Sequence, residues 1–398
     1  MVRLLYLLVF ILNLFYVLVP QWKGSSIWNT YYDIESFTLG FLWLRQISIF
    51  LLIVISLFAF PGNKRIRINN ILPFVVLALT YAISLFFNGK ISSIFAAISI
   101  PLNYYAIFLA QQRKIFNLSY IIIIILALWV FLPVIDFFFF SDSYRQSLFF
   151  YSSSEIGDFN DNDFSGYAYH KNAYGYICGL LIIILQYLNI KRIYKFILIP
   201  LIIVCILFSG CRSVLVSILG VFFISYFKNK SEKFHLIRNH LGRAGTKKLR
   251  LRYMGLIILI VAISSVAIMF LIQNSIFDDP FRLLIYEHFF SVIKSNFYFG
   301  VGEPVFFDSD DPAHNFILQI LADNGFFCFI AFMWVIFRIF KSSTKMGQML
   351  IIYLLLVSLF QPTLSLSAPS SLFTVLLLMP SFLNQTKEVS CRTIKGKH

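Results

Sequence analysis

Long apolar runs, separated by short polar or basic breaks, make up most of the chain. A membrane-crossing helix needs about 17 to 25 mainly apolar residues. Runs of that kind fall at 3–20, 38–60, 71–88, 92–111, 118–140, 173–190, 195–211, 213–227, 253–273, 315–337, 348–364 and 369–384. The pattern therefore predicts an all-α polytopic membrane protein, one integral membrane domain over 1–398 with twelve spans. Ser209-Gly210-Cys211-Arg212-Ser213 interrupts one long apolar stretch and predicts a tight hairpin. Arg3 followed by an apolar run resembles a signal peptide, but Val19-Pro20-Gln21-Trp22-Lys23 offers no small-residue cleavage site, so this segment is expected to remain as the first span.

Two polar stretches stand apart from the spans. Residues 141–172 are rich in Ser, Asp, Asn and Tyr and predict an irregular loop. Residues 274–314 open with Asp278-Asp279-Pro280, a helix-start signal. Phe281, Leu284, Ile285, Phe289, Val292 and Ile293 then recur at helical spacing, predicting an amphipathic helix on the membrane surface, before the tenth span. Gly300, Gly302 and Pro304 end it.

Composition agrees with the pattern: 59% of residues are hydrophobic and 13% charged, against about 25% charged in soluble domains. The net charge of +15 raises the question of a nucleic-acid partner, but its placement is explained better by membrane topology, and no nucleic acid is expected. Nine Lys/Arg fall in the loop 228–252, and smaller basic clusters flank other spans. Twelve of the eighteen acids lie in 141–172 and 274–314 instead. With both termini cytoplasmic, every basic cluster is inside and both acidic loops are outside, as the positive-inside rule requires. Five cysteines without paired spacing support neither a disulfide framework nor a zinc site, and no metal-binding or P-loop motif occurs. No metal and no cofactor are expected.

Few residues could carry chemistry. Arg212, at the outer end of a span, is costly unless it meets an anion or water; small neighbours Ser209, Gly210 and Ser213 leave room for a ligand. The plainer explanation is an interfacial arginine reaching for water. Arg282 is one of two basic residues among seven acids in its loop. It is either an ordinary ion pair or a guanidinium aimed at a diphosphate, to which its planar fork is matched. His314 stands where the tenth span begins, and its imidazole could act as a general base near neutral pH, although a lone interfacial histidine is more often structural. His170-Lys171-Asn172 occupies the equivalent place before the sixth span.

His314-Asn315, nine residues and then Gly325 resembles the His-Asn-x9-Gly-x-x-Gly signature of the bacterial O-antigen polymerase and O-antigen ligase superfamily, with Cys328 in place of the second glycine. Ser209-Gly210-Cys211-Arg212 is similar to that family's Ser-x-Ser-Arg element, and Arg282 through Gly300-Val301-Gly302 to its arginine-bearing amphipathic helix ending in Gly-x-Gly. Gly166 followed by His170-Lys171-Asn172 resembles a segment of exopolysaccharide polymerases. The four elements keep the family's order over 166–340.

The resemblance implies a GT-C-like, metal-independent inverting glycosyltransferase of the bacterial inner membrane. Its substrates would be undecaprenyl-diphosphate-linked oligosaccharides at the periplasmic face, and a chain-length regulator and a flippase would be its partners. Arg212 and Arg282 would hold the diphosphate, His314 would take the acceptor proton, and His170, Lys171, Asn172 and Asn315 would bind substrate. The Cys328 departure is expected to concern helix packing, since small residues there favour close helix contact. The short outer loop and the His170-Lys171-Asn172 element favour a polymerase over a ligase acting on lipid A–core. A lipid-linked glycan transporter is the alternative of another class; it would show ionisable groups at mid-membrane and discontinuous helices. The sequence offers Arg45 and Asp136 toward that reading.

Overall fold

The computed structural model describes residues 68–89, 118–139, 150–151, 163–164, 166, 171–188, 190–227, 280–303, 305–307, 313 and 315–360. The expected spans at 3–20, 38–60, 92–111, 253–273 and 369–384, and the basic loop 228–252, lie outside these residues. Within the described residues the chain is helical: α1 (Ile68–Phe87), α2 (Leu118–Phe139), α3 (Lys171–Tyr187), α4 (Arg192–Phe208) and α5 (Arg212–Phe227) come first. They are followed by α6 (Pro280–Ser295), α7 (Phe316–Ser342) and α8 (Lys345–Ser358). Seven expected spans each coincide with one helix, and α6 is the expected amphipathic helix, starting at Pro280. Among the described residues one helix, over Phe316–Lys341, is by length and composition long and apolar enough to cross a membrane.

The stretch 141–172, expected to be irregular, contains a short antiparallel pair, β1 (Phe150–Tyr151) with β2 (Asp163–Phe164). Apolar burial explains it: Phe164 sits edge-on against Tyr174 of α3 and Phe137 of α2.

α3 is the centre of the bundle. Every residue from Tyr174 to Leu185 is buried, so the helix is covered all round rather than along one stripe. Two buried tyrosine hydroxyls here are spent on backbone carbonyls: Tyr174 of α3 donates to Val130 O at 2.9 Å and Tyr353 of α8 donates to Tyr176 O at 3.0 Å. Gly179 makes room for the Tyr353 ring, which a Cβ would strike. The outside is apolar as well: Leu79, Phe86, Phe196, Leu207, Leu219 and Phe337 are all exposed.

Two features depart from a plain set of spans. α6 gives Ile285, Phe289 and Ile293, one helical stripe, to packing against α7 around Leu318, Leu321 and Ala322, while Leu284 of the expected apolar face is exposed. And α7 is not continuous. At Gly325 the backbone turns to φ 79°, ψ 177°, so the helix that the apolar run predicts is two helical halves joined by a break.

Candidate functional site

The break in α7 releases backbone groups that a helix would pair internally, and buried amides and carbonyls must find other partners. The segment Phe297–Gly302, just after α6, supplies them. Phe326 N–H donates to Phe297 O at 2.8 Å, while Val301 N–H donates to Ala322 O at 2.9 Å and Gly302 N–H to Asp323 O at 2.7 Å. The approach is closer than any side chain permits. A Cβ on Gly325 would lie 2.5 Å from Gly300 N, and one on Gly300, whose φ is +65°, would lie 2.5 Å from Asn324 N. Stacked rings flank the seam, Phe297 on Phe326 and Tyr298 on Phe327.

α1 closes the other side. Ser84 Oγ donates to Phe299 O at 2.5 Å and Asn88 Nδ2 to Gly300 O at 3.1 Å. Cys328, one turn past the break, is buried beside Thr80 and Tyr81 of α1 and so takes part in packing α7 on α1, in line with the expectation for that position.

Beneath this joint lies a polar cluster that the sequence reading did not single out. Gln319 and Asp323, one turn apart on α7, are both fully buried. Asp323 Oδ1 accepts from Val305 N–H at 2.8 Å and from Gln319 Nε2 at 2.8 Å. Gln319 Nε2 also donates to Val305 O at 2.9 Å, and Gln319 Oε1 accepts from Ala313 N–H at 2.9 Å. Asn324 is buried with no partner for its side-chain oxygen or nitrogen among the described residues. The signal was present as Gln319, Asp323 and Asn324 inside an apolar run.

A second arrangement surrounds Arg212. The α4–α5 turn is as tight as expected: Gly210 takes φ 63° and its N–H donates to Leu207 O at 3.1 Å. Arg212 opens α5 with an exposed side chain. The turn rests on the first turns of α3, where Gly175 permits the contact: a Cβ there would lie 2.7 Å from Cys211 Cβ and 3.3 Å from Ser209 Oγ. Lys171 and half-buried Asn172 begin that helix, so the structure brings the α3 start and the Arg212 turn together.

The other expected site residues are placed less fully. Arg282 lies in the first turn of α6, its side chain outside the described set, and His170 and His314 lie outside the described residues. Asn315 is the N-cap of α7: its Oδ1 accepts from Ile317 N–H at 2.9 Å and Leu318 N–H at 3.4 Å. Among the described residues no group of three or more His, Cys, Asp or Glu could hold a metal ion. No family model matches the chain, and no curated protein matches it.

Proposed function

We propose that the chain is an O-antigen or related surface-polysaccharide polymerase, joining undecaprenyl-diphosphate-linked oligosaccharide repeats at the periplasmic face of a bacterial inner membrane. One observation carries this reading. The arginine-bearing helix α6 with its Gly300-Val301-Gly302 ending and the stretch from Asn315 to Gly325 are two elements of the resemblance, and the glycine ending is hydrogen-bonded into the Gly325 break while α6 packs on α7. Two of the four short motifs, matched only by order, thus belong to one structural unit. The apolar exterior suits lipid, where twelve spans in a GT-C-like arrangement would lie, and exposed apolar patches of this extent are rare on soluble monomers.

The chemistry requires little beyond positioning. The acceptor sugar hydroxyl attacks the anomeric carbon as the bond to the diphosphate oxygen breaks, with inversion. The hydroxyl proton passes to His314, and the diphosphate leaves with its charge held by Arg212 and Arg282. A lipid diphosphate is already a good leaving group, so orientation and cationic stabilisation supply most of what remains. Lys171, Asn172, His170 and the Nδ2 of Asn315 are the groups proposed to bind sugar. In the test, Arg212→Ala, Arg282→Ala and His314→Ala each leave insertion intact and abolish chain elongation. Full-length glycan ladders in all three variants would remove the catalytic reading. In a deletion strain, a single repeat on core supports the polymerase; bare core with accumulating lipid-linked polymer supports a ligase.

The transporter reading has one specific observation in its favour, the discontinuous α7 with buried Asp323 beside the break. Transporters leave such a break open to their cargo. Here loop 297–302 fills it, and Asp323 Oδ1 is spent on Val305 and Gln319, which favours a built joint over a transit path. Accumulation of lipid-linked single repeats on the cytoplasmic leaflet in the deletion strain would reverse that preference.

A further inference from the structure

We propose that Tyr176 is a positioning residue of the Arg212 site: its buried hydroxyl holds that of Ser213 toward a phosphate oxygen of the donor. The inference rests on the glycosyltransferase reading above and deepens it. Arg212 and Ser213 are successive residues in the first turn of α5. A helix start carries partial positive charge and favours anions, and here the exposed side chain of Arg212 adds a full charge. Ser213 is half-buried, and its Oγ lies 3.5 Å from Cys211 Sγ, a weak partner for a hydroxyl. Beneath this turn lies Tyr176 of α3, only 2% exposed. Its hydroxyl lies beside Ser213 and Cys211, yet makes no hydrogen bond of ordinary geometry among the described residues.

Packing alone does not call for this hydroxyl. A phenylalanine at 176 would fill the same part of the core without drying an unspent polar group. The position is also held firmly. Tyr353 donates to Tyr176 O at 3.0 Å, and the preceding Gly175 lets the Arg212 turn rest on α3. What the phenol provides is a donor beside the Ser213 oxygen. A serine hydroxyl has one proton and two lone pairs. When Ser213 donates that proton to a phosphate oxygen, its own oxygen is left to accept from Tyr176. The relay is two hydrogen bonds in series, and no proton changes owner. The phosphate touches Arg212 and Ser213, so the buried phenol acts through the serine. The group recognised is a phosphate oxyanion, which the donor's diphosphate and a phospholipid headgroup both contain.

Tyr176→Phe tests the relay in the full-length chain, purified into phosphatidylcholine nanodiscs, with inorganic pyrophosphate as the probe. Wild type should bind it, and Arg212→Ala should weaken binding by more than about tenfold, as loss of a charged partner does. Tyr176→Phe and Ser213→Ala should each raise Kd by about three- to tenfold. Because the two hydroxyls act in series, the double variant should bind no more weakly than Ser213→Ala alone. Tyr176→Phe should also melt at or above the wild-type temperature, since it removes a buried hydroxyl that lacks a well-formed bond. Wild-type affinity in Tyr176→Phe overturns the relay. So does a lower melting temperature, which would mean that the hydroxyl is spent on the fold, and so does absence of pyrophosphate binding by wild type. In phosphatidylglycerol nanodiscs the fold-change caused by Tyr176→Phe should persist; its disappearance there would assign the site to lipid headgroups and overturn the assignment to the donor. Chain elongation judges the glycosyltransferase reading separately. Pyrophosphate binding with these effects but no glycan transfer keeps the relay and removes that reading. Elongation that needs Arg212, with Tyr176→Phe matching wild type in donor KM and pyrophosphate affinity, does the reverse.

Discussion

The joint at Gly325 and the turn at Arg212 each carry part of the proposed site, and they are built by opposite means. At Gly325 the close approach is backbone on backbone: a helix is broken, and a loop from elsewhere in the sequence supplies the missing hydrogen bonds. At Arg212 the helices stay whole, and a short turn is pressed against Gly175 by small side chains, Ser209 and Cys211. The first arrangement is specified by hydrogen-bond register and tolerates no added atom. The second is specified by volume, and volume can be exchanged between neighbours.

The largest effect is therefore expected at Gly325. With φ 79° and ψ 177°, its backbone lies in a region that only glycine occupies at low cost. A Cβ would also meet Gly300 N, Phe299 N and Phe299 C, each at 2.5 Å, and none of these is the end of a flexible side chain. Gly325→Ala should cost more than about 3 kcal/mol through strain and overpacking together. The expected result is a chain that fails to accumulate as a monodisperse species in detergent, or melts far below wild type. An alanine variant with a wild-type melting curve would mean that the break is dispensable and the contrast between the two regions false.

Gly175 should respond more mildly, and reversibly. It sits in ordinary helix, where alanine is favoured by about 1 kcal/mol, so the clash with Cys211 and the tight approach to Ser209 Oγ are what oppose the change. Gly175→Ala should lower stability by about 1–2 kcal/mol net. Adding Cys211→Gly removes the atoms 2.7 Å and 3.1 Å away and should return part of the loss, giving a coupling energy above about 0.5 kcal/mol in a thermal-melting cycle. Strict additivity would show that the turn does not lean on α3.

The same contrast explains what could be read in advance. Helix positions follow from apolar runs and local breakers, so α1 to α5, α7 and α8 coincide with expected spans, and Pro280 marks the start of α6. The Arg212 turn was legible because Ser209-Gly210-Cys211 is a local signal. The break in α7 was not. Gln319, Asp323 and Asn324 are outweighed by the apolar residues around them, and a glycine within a span is ordinary. What turns Gly325 into a break is the Phe297–Gly302 segment, over twenty residues upstream, whose donors and acceptors replace the helical ones. The resemblance contained both glycine elements, but nothing in their spacing said that they touch. Likewise, the apolar residues of α6 read as one membrane-facing stripe, whereas Ile285, Phe289 and Ile293 pack on α7, a neighbour that periodicity does not reveal.

Asn315 offers the smallest effect and the sharpest division between architecture and chemistry. Its Oδ1 caps α7, so Asn315→Ala should cost about 1 kcal/mol of stability, a modest shift in melting temperature. Asn315→Asp keeps the capping oxygen and adds negative charge at a helix N-terminus, where it is favourable, so its stability should equal or exceed wild type. What the aspartate loses is Nδ2. If Asn315 serves only as a cap, elongation in the aspartate variant should proceed at the wild-type rate. If Nδ2 holds the acceptor sugar, that variant should be stable and impaired, with the loss in acceptor KM. A stable aspartate variant with unchanged kinetics would confine Asn315 to the fold, leaving His314 and the two arginines to carry the chemistry proposed for this face.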